Sequence, residues 1–343
     1  MSKFGDNCKY IFRHIRDDYL NPYLKKLKGV NSPVKVWSFG NLNEDKIIYL
    51  ITDISTKRSG IYSMYLTILS ELSYAKMMGW VPVIDNTHNL LRKNIHRKKG
   101  NIITEFFQLN NAVTVEDALK SKNVILCNIN KKINMLLLIG RADEIYKIGT
   151  GKSFFDIKEE EISYWREFAH KNLKYKQEIE KKLNEEYFNV IQGRKNVLSV
   201  AVREGKMALS SRTRRISVEN EQPSIQLLLE ITKHYFIKWN CEYIYLSCEA
   251  LETVEMFKRE FGEDIILVLE RFRLPLEELL KIRDFRSGDK FMKRAKSIPN
   301  YDMDYIKDMY ILSKGDYLIC PDNRGTEAAF IMNDGFKMSY CIK

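Results

Sequence analysis

A chain of 343 residues, 45% hydrophobic and 29% charged, has the makeup of a soluble globular protein with room for two α/β domains, each with its own core. No apolar run reaches the roughly 20 residues that span a bilayer, and the N-terminal stretch lacks the unbroken apolar core of a signal peptide, so the cytoplasm is the expected location. The formal charge of +11 suits anionic partners such as a nucleotide, a phosphorylated carrier or a phospholipid surface; no DNA- or RNA-binding motif accompanies it, so no nucleic-acid partner is expected.

Residues 1–45 read as an N-terminal helical accessory segment. The stretch 10–28 is amphipathic, and Pro22 opens its second helical piece. Its basic face is expected to be solvated or packed on the body, with peripheral contact at the inner membrane face as the alternative. Residues 46–192 read as a first Rossmann-like domain. IIYLITD (47–53) is a strand, STKRSG (55–60) a polar turn, 61–79 a helix closed by Gly79, and 80–85 the next strand. Arg58, Ser59 and Gly60 stand just ahead of that helix, where an anion or an acceptor phosphate can bind; an ordinary βα turn explains them equally well. Residues 86–111 are basic and irregular, a substrate-facing loop. A helix is expected at 115–120, a strand at 123–127 and a helix at 133–148. One long charged helix over 158–192 then bridges the halves.

The pattern sharpens after 193. Strands at 197–202, 243–248, 264–269, 316–320 and 338–342 alternate with helices at 223–239, 250–261, 302–313 and 325–333. Such alternation implies a parallel sheet with helices on both faces and right-handed crossovers, a second Rossmann-like domain over 193–343. The charged run within 271–299 reads as a mobile surface insertion. Two Rossmann-like domains with a cleft between them suggest a nucleotide-using transferase. Neither GxGxxG after the first strand nor GxxxxGK[ST] occurs, which argues against a dinucleotide oxidoreductase and a P-loop NTPase. The six cysteines and five histidines have no metal-ligand spacing; small apolar fillers in a reducing compartment are expected, and no metal.

Three polar edges follow strands of the second half. Arg203 comes directly after VLSVAV, where a guanidinium can fork onto a diphosphate; a surface arginine is the plainer reading. Ser247 and Glu249 end the strand YIYLSC, and Glu249 can accept from a ribose or simply favour the helix N-terminus. Asn323, Arg324, Gly325 and Thr326 open a helix rich in small residues, where backbone amides would point at a phosphate unless the helix is merely capped. Asp302 and Asp304 match the metal-binding DxD of many glycosyltransferases, but at the start of a helix they read as capping residues.

Four stretches carry a family resemblance: IIYLITDISTKRSGIYSMYLTILSELSYAKMMGWVPVID, VLSVAVREG, YIYLSCEALETVEMFKREFGEDI and LSKGDYLICPDNRGTEAAFIMNDGF. Together they cover most of 46–85 and 197–336. They resemble fucosyltransferase-like glycosyltransferases of the two-domain GT-B fold, in particular bacterial relatives of the α1,6-fucosyltransferase and O-fucosyltransferase group. The resemblance implies that Arg203 binds the β-phosphate of the donor and that the turn around Asn323 to Thr326 contacts the diphosphate. It places the family's YLATDD-like stretch on 245–249. The chain departs from the family motif at Ala201, where a histidine is usual, and at Glu204, where a second arginine is usual. Gly205 and Lys206 replace Thr-Asp, and Asp322, Asn323 and Arg324 stand where serines are common.

The activity so implied is a metal-independent, inverting transfer of fucose or a similar sugar, without a cofactor, from a nucleoside-diphosphate sugar, GDP-linked by resemblance. The implied acceptor is a glycan or a lipid-linked oligosaccharide in bacterial polysaccharide biosynthesis. Arg203 would hold the leaving diphosphate, and Glu204, Glu219 or Glu221 would take the acceptor's proton. The departures motivate an alternative, a catalytically degenerate GT-B scaffold that binds glycan or a partner transferase.

Overall fold

The computed structural model describes residues 36–52, 60–85, 102–109, 113–126, 153–204, 223–282, 294 and 297–342. The helices expected at 10–28 and 133–148 lie outside these residues. The first half runs β1 (Val36–Trp37), β2 (Ile48–Thr52), α1 (Ile61–Met77), β3 (Val81–Asp85), α2 (Ile102–Phe106), β4 (Phe107–Gln108), α3 (Val115–Ala118) and β5 (Val124–Leu126), then a 3-10 turn at Phe154–Asp156, α4 (Glu159–Asn172), β6 (Lys174–Tyr175) and α5 (Gln177–Ile191). Strands β5, β2 and β3 are parallel, and β1 adds antiparallel to β5, for the order β1-β5-β2-β3. Successive strand residues point to opposite faces. Tyr49 and Ile51 of β2 therefore enter the large core, while Ile48 and Leu50 join a smaller one with Val83, Val113 and Val124.

The single helix expected over 158–192 is two. The break at 173–176 is made by β6, which pairs antiparallel with β4, a strand inside what reads as an irregular loop. Tyr175 stacks on Phe107 with ring centroids 4.8 Å apart, and the Lys176 amide donates to the Phe106 carbonyl at 2.9 Å. Those long-range contacts outweigh the local helical periodicity.

The second half runs β7 (Val197–Ala201), α6 (Ile225–Lys238), β8 (Tyr243–Ser247), α7 (Leu251–Phe261), β9 (Ile266–Leu267), α8 (Leu276–Ile282), α9 (Tyr301–Leu312), β10 (Tyr317–Pro321), α10 (Arg324–Met332) and β11 (Met338–Ile342). All five strands are parallel, in the order β11-β10-β7-β8-β9. This is the doubly wound order, whose topological switch point lies between β7 and β10. Leu198, Val200, Ile244, Leu246 and Ile319 point toward α6 and α7. Val197, Ala201, Tyr245, Leu318 and Cys320 point toward α9 and α10. The period of two read from VLSVA and YIYLS thus becomes two apolar faces.

The expected surface insertion at 271–299 needs correction where it is described. Leu274, Leu279 and Ile298 are buried with Ala250 in a small core of their own. The Leu274 amide donates to the Glu249 carbonyl at 3.0 Å, so the segment is fastened over the end of β8.

The large core is shared between the halves. Tyr62 of α1 packs edge-on against Tyr305 of α9 at 5.5 Å, and its hydroxyl donates to the Ile306 carbonyl at 3.3 Å. Farther along, Tyr310 donates to Asn184 at 2.6 Å, and Lys307 pairs with Glu186 at 2.5 Å.

Candidate functional site

The carboxyl ends of β7 and β10 meet at the switch point, where open α/β sheets leave a crevice for ligands. Val200 pairs with Ile319 at the end of the parallel β7–β10 ladder, so the residues after each strand leave from the same sheet edge. The ladder runs one residue past β7, with the Val202 amide donating to the Ser247 carbonyl at 2.8 Å. Arg203 is therefore the first residue beyond the paired backbone. It is half-buried, with its Nε withdrawn from solvent. The strand end fixes where this guanidinium starts, at the edge expected for it.

Glu204 turns away from that edge. Its carboxylate is buried and accepts from the amides of Glu249, at 3.2 Å to each oxygen, and of Ala250, at 3.0 Å. Ala250 is the N-cap of α7 and has no side-chain acceptor of its own. Glu204 supplies that cap from the neighbouring strand, with the favourable sign of charge for a helix N-terminus. The repulsion that a glutamate beside Arg203 would exert on a diphosphate is thereby reduced. The same geometry suits a helix cap and not a base that must reach an acceptor hydroxyl.

The turn after β10 is also more self-contained than its sequence suggests. Asn323 is the N-cap of α10, and its Oδ1 accepts from the amides of Gly325 at 3.0 Å and Thr326 at 3.2 Å. Thr326 closes a capping box by accepting the Asn323 amide at 3.2 Å, while its hydroxyl donates to the Pro321 carbonyl at 2.7 Å. The Asn323 carboxamide thus occupies the Gly325 and Thr326 amides, which is the plainer, capped-helix reading of this turn. Gly325 is required for packing, since a Cβ there would strike the hydroxyl of Tyr305. Arg324 remains partly exposed, and its Nη1 donates to Glu327 Oε2 at 2.9 Å. Glu327 is buried. Burial lifts its carboxyl to about 7, against the pull of Arg324 and of the Phe154 amide and with a further push from Asp322.

At the end of β8, Ser247 is buried and donates to Asp308 Oδ2 at 2.9 Å. Tyr245 donates to Asp308 Oδ1 at 2.5 Å, and Arg271 Nη2 donates to Oδ2 and to the Cys248 carbonyl, each at 2.8 Å. Burial opposes the charge on Arg271, but Asp308 more than restores it, so the guanidinium is held above its ordinary pKa. Ser247 thus belongs to a buried polar hub. Glu249 is half-buried, with the Tyr301 hydroxyl 3.5 Å from Oε1. Asp308, Arg271 and Glu327 escape the sequence reading. The available signal is a lone acid within an otherwise apolar helical stripe, as in IKDMYIL and TEAAFIM.

The remaining candidates divide. Gly60 is the N-cap of α1, while Arg58, Ser59, Glu219 and Glu221 lie outside the described residues. Asp302 and Asp304 occupy the first turn of α9, and burial raises the Asp304 carboxyl above its usual range. Among the described cysteines, Cys241, Cys248 and Cys320 are buried free thiols. No described helix is long and apolar enough to cross a membrane.

The fold that positions these groups is the GT-B-like arrangement of two sheets found in fucosyltransferase structures. POFUT1 in complex with GDP-fucose superposes with a TM-score of 0.50 at 9% identity, over 88% of this chain and 99% of that one. POFUT1 in complex with GDP gives 0.50 at 10% identity, over 86% and 98%. Fucosyltransferase NodZ from Bradyrhizobium gives 0.45 at 15% identity, over 84% and 93%. At these identities the likeness is one of fold. No protein-family model and no curated protein matches the sequence.

Proposed function

We propose that this chain is a fucosyltransferase-like glycosyltransferase that takes a sugar from a nucleoside-diphosphate donor, GDP-linked by analogy with the neighbouring structures. The observation that carries the reading is the switch point: Arg203 lies just past β7, and Arg324 lies just past β10, its parallel neighbour, at the edge where doubly wound sheets bind nucleotides. Residues 193–343 form the donor half in this reading and 46–192 the acceptor half.

In the proposed reaction a carboxylate takes the proton of an acceptor hydroxyl. The oxygen bonds to the anomeric carbon from the face opposite the leaving group, and the bond from that carbon to the phosphate oxygen breaks. The diphosphate departs with the electron pair and is stabilised by Arg203 and Arg324, which supply the charge a metal supplies elsewhere. Glu219 and Glu221 are the proposed bases, since Glu204 serves as a cap. The acceptor is a glycan or lipid-linked oligosaccharide, reached from the cytoplasm with peripheral contact at the membrane face.

Calorimetric titration of GDP, UDP and their sugars tests the reading. Binding of one nucleoside diphosphate, weakened roughly tenfold or more by Arg203→Ala, is expected; no binding by any of them would reject it. A second reading, a scaffold without turnover, draws on the Asn323 carboxamide seated over the amides of the late turn. It predicts nucleotide or glycan binding with no sugar transfer or donor hydrolysis.

A further inference from the structure

The late turn raises a question that the donor reading leaves open: what on it meets a phosphate. Its amides at Asn323, Gly325 and Thr326 are already bonded within the capping box. Asp322 adds a carboxylate beside Glu327, so the turn as a whole does not present the bare positive end of a helix. What it does present is the Arg324 guanidinium, with 29% of its side chain exposed and, among the described residues, Nη1 alone engaged, by Glu327. Glu327 is fixed in turn. It sits one helical turn along α10, with its side chain only 6% exposed.

We propose that this turn reads the donor's diphosphate through the Arg324 side chain rather than through its backbone amides, and that Glu327 is the residue that positions Arg324. The proposal rests on the donor reading above and adds its specificity-determining contact. A carboxylate bonded to one Nη restricts the rotamers of a long side chain, so the donors that remain are already oriented and less entropy is lost when an oxyanion binds. Arg203 follows β7 and Arg324 follows β10, two strands that pair in parallel, so both arginines leave the same edge of one sheet. A helix whose amides were the phosphate site would need no such acid, and an acid that acted only by its charge would weaken an anion's binding.

The test is titration of GDP, UDP, guanosine and uridine into the full chain and into Arg324→Ala, Glu327→Ala and Glu327→Gln, each checked for an unchanged melting curve. Arg324→Ala is expected to weaken the bound nucleoside diphosphate by roughly tenfold or more, the loss of a charge-assisted hydrogen bond, and to leave the nucleoside unaffected. Glu327→Ala should weaken it several-fold, about fivefold for one freed side chain, and Glu327→Gln, which keeps an acceptor oxygen, should fall between. Unchanged affinity in Arg324→Ala, or tighter binding in both Glu327 variants, overturns the proposal while leaving the donor reading intact. Failure of the unaltered chain to bind either diphosphate overturns both. Should Glu327→Ala not fold, Arg324→Ala and Glu327→Gln decide alone.

Discussion

Replacing Glu327 by glutamine should change how stability depends on pH. Burial raises this carboxyl from an ordinary 4.5 to about 7. Folding therefore increases its proton affinity by about two and a half decades, worth about 3 kcal/mol in all at roughly 1.4 kcal/mol per decade. Between pH 4.5 and 7 the folded chain holds a proton at this position that the unfolded chain has released, so stability falls as pH rises through that window. The contribution is fully present below 4.5 and is gone above 7. Glutamine cannot titrate. The stability of Glu327→Gln relative to the parent should therefore improve by up to about 3 kcal/mol between pH 4.5 and pH 8. Urea unfolding of both proteins at pH 5, 6, 7 and 8 gives the difference at each point, and other titrating groups cancel between the two curves. A flat difference would refute the reasoning, and a difference of opposite slope would mean that Arg324 holds the carboxylate ionised in spite of its burial.

The hub around Asp308 gives a second test. Arg271→Leu leaves a buried carboxylate with two hydroxyl donors and should cost about 3–5 kcal/mol, whereas adding Asp308→Leu should recover part of that loss in a double-mutant cycle; additive single effects would refute coupling. Glu204→Ala strips the amides at the start of α7 of their acceptor and should cost about 1–3 kcal/mol, with faster amide exchange at Glu249 and Ala250; wild-type exchange there would show that water replaces the cap. Arg203→Ala should lower affinity for a nucleoside diphosphate while leaving the melting temperature within a degree or so, since Arg203 ends a strand rather than filling a core.

Much of the fold is legible in the sequence because its signals are local. VLSVA, YIYLS and YLICP are short β-branched or apolar runs bounded by polar turns, and each becomes a central parallel strand. Arg203 is legible for the same reason, since a strand end fixes its position. What escapes is long-range. No local pattern reveals that Glu204 caps a helix beginning at Leu251, or that Arg271 reaches back to Asp308. The helix break at 173–176 depends on Phe107, far away in the chain. Asn323 is the opposite case: Asn-Arg-Gly-Thr spells a capping box within four residues, and the structure uses it as one.

The apolar seam shared by the two sheets has a consequence for experiments that divide the protein. Expressed alone, residues 193–343 would present the outer sides of α9 and α10 to water, including Tyr305 and Phe330, which pack on Tyr62 and Phe155 of the first half. A fragment of that kind should be prone to self-association. Co-expression of the two fragments, which restores the covering surface without the covalent connection, is the more promising route to a soluble nucleotide-binding half.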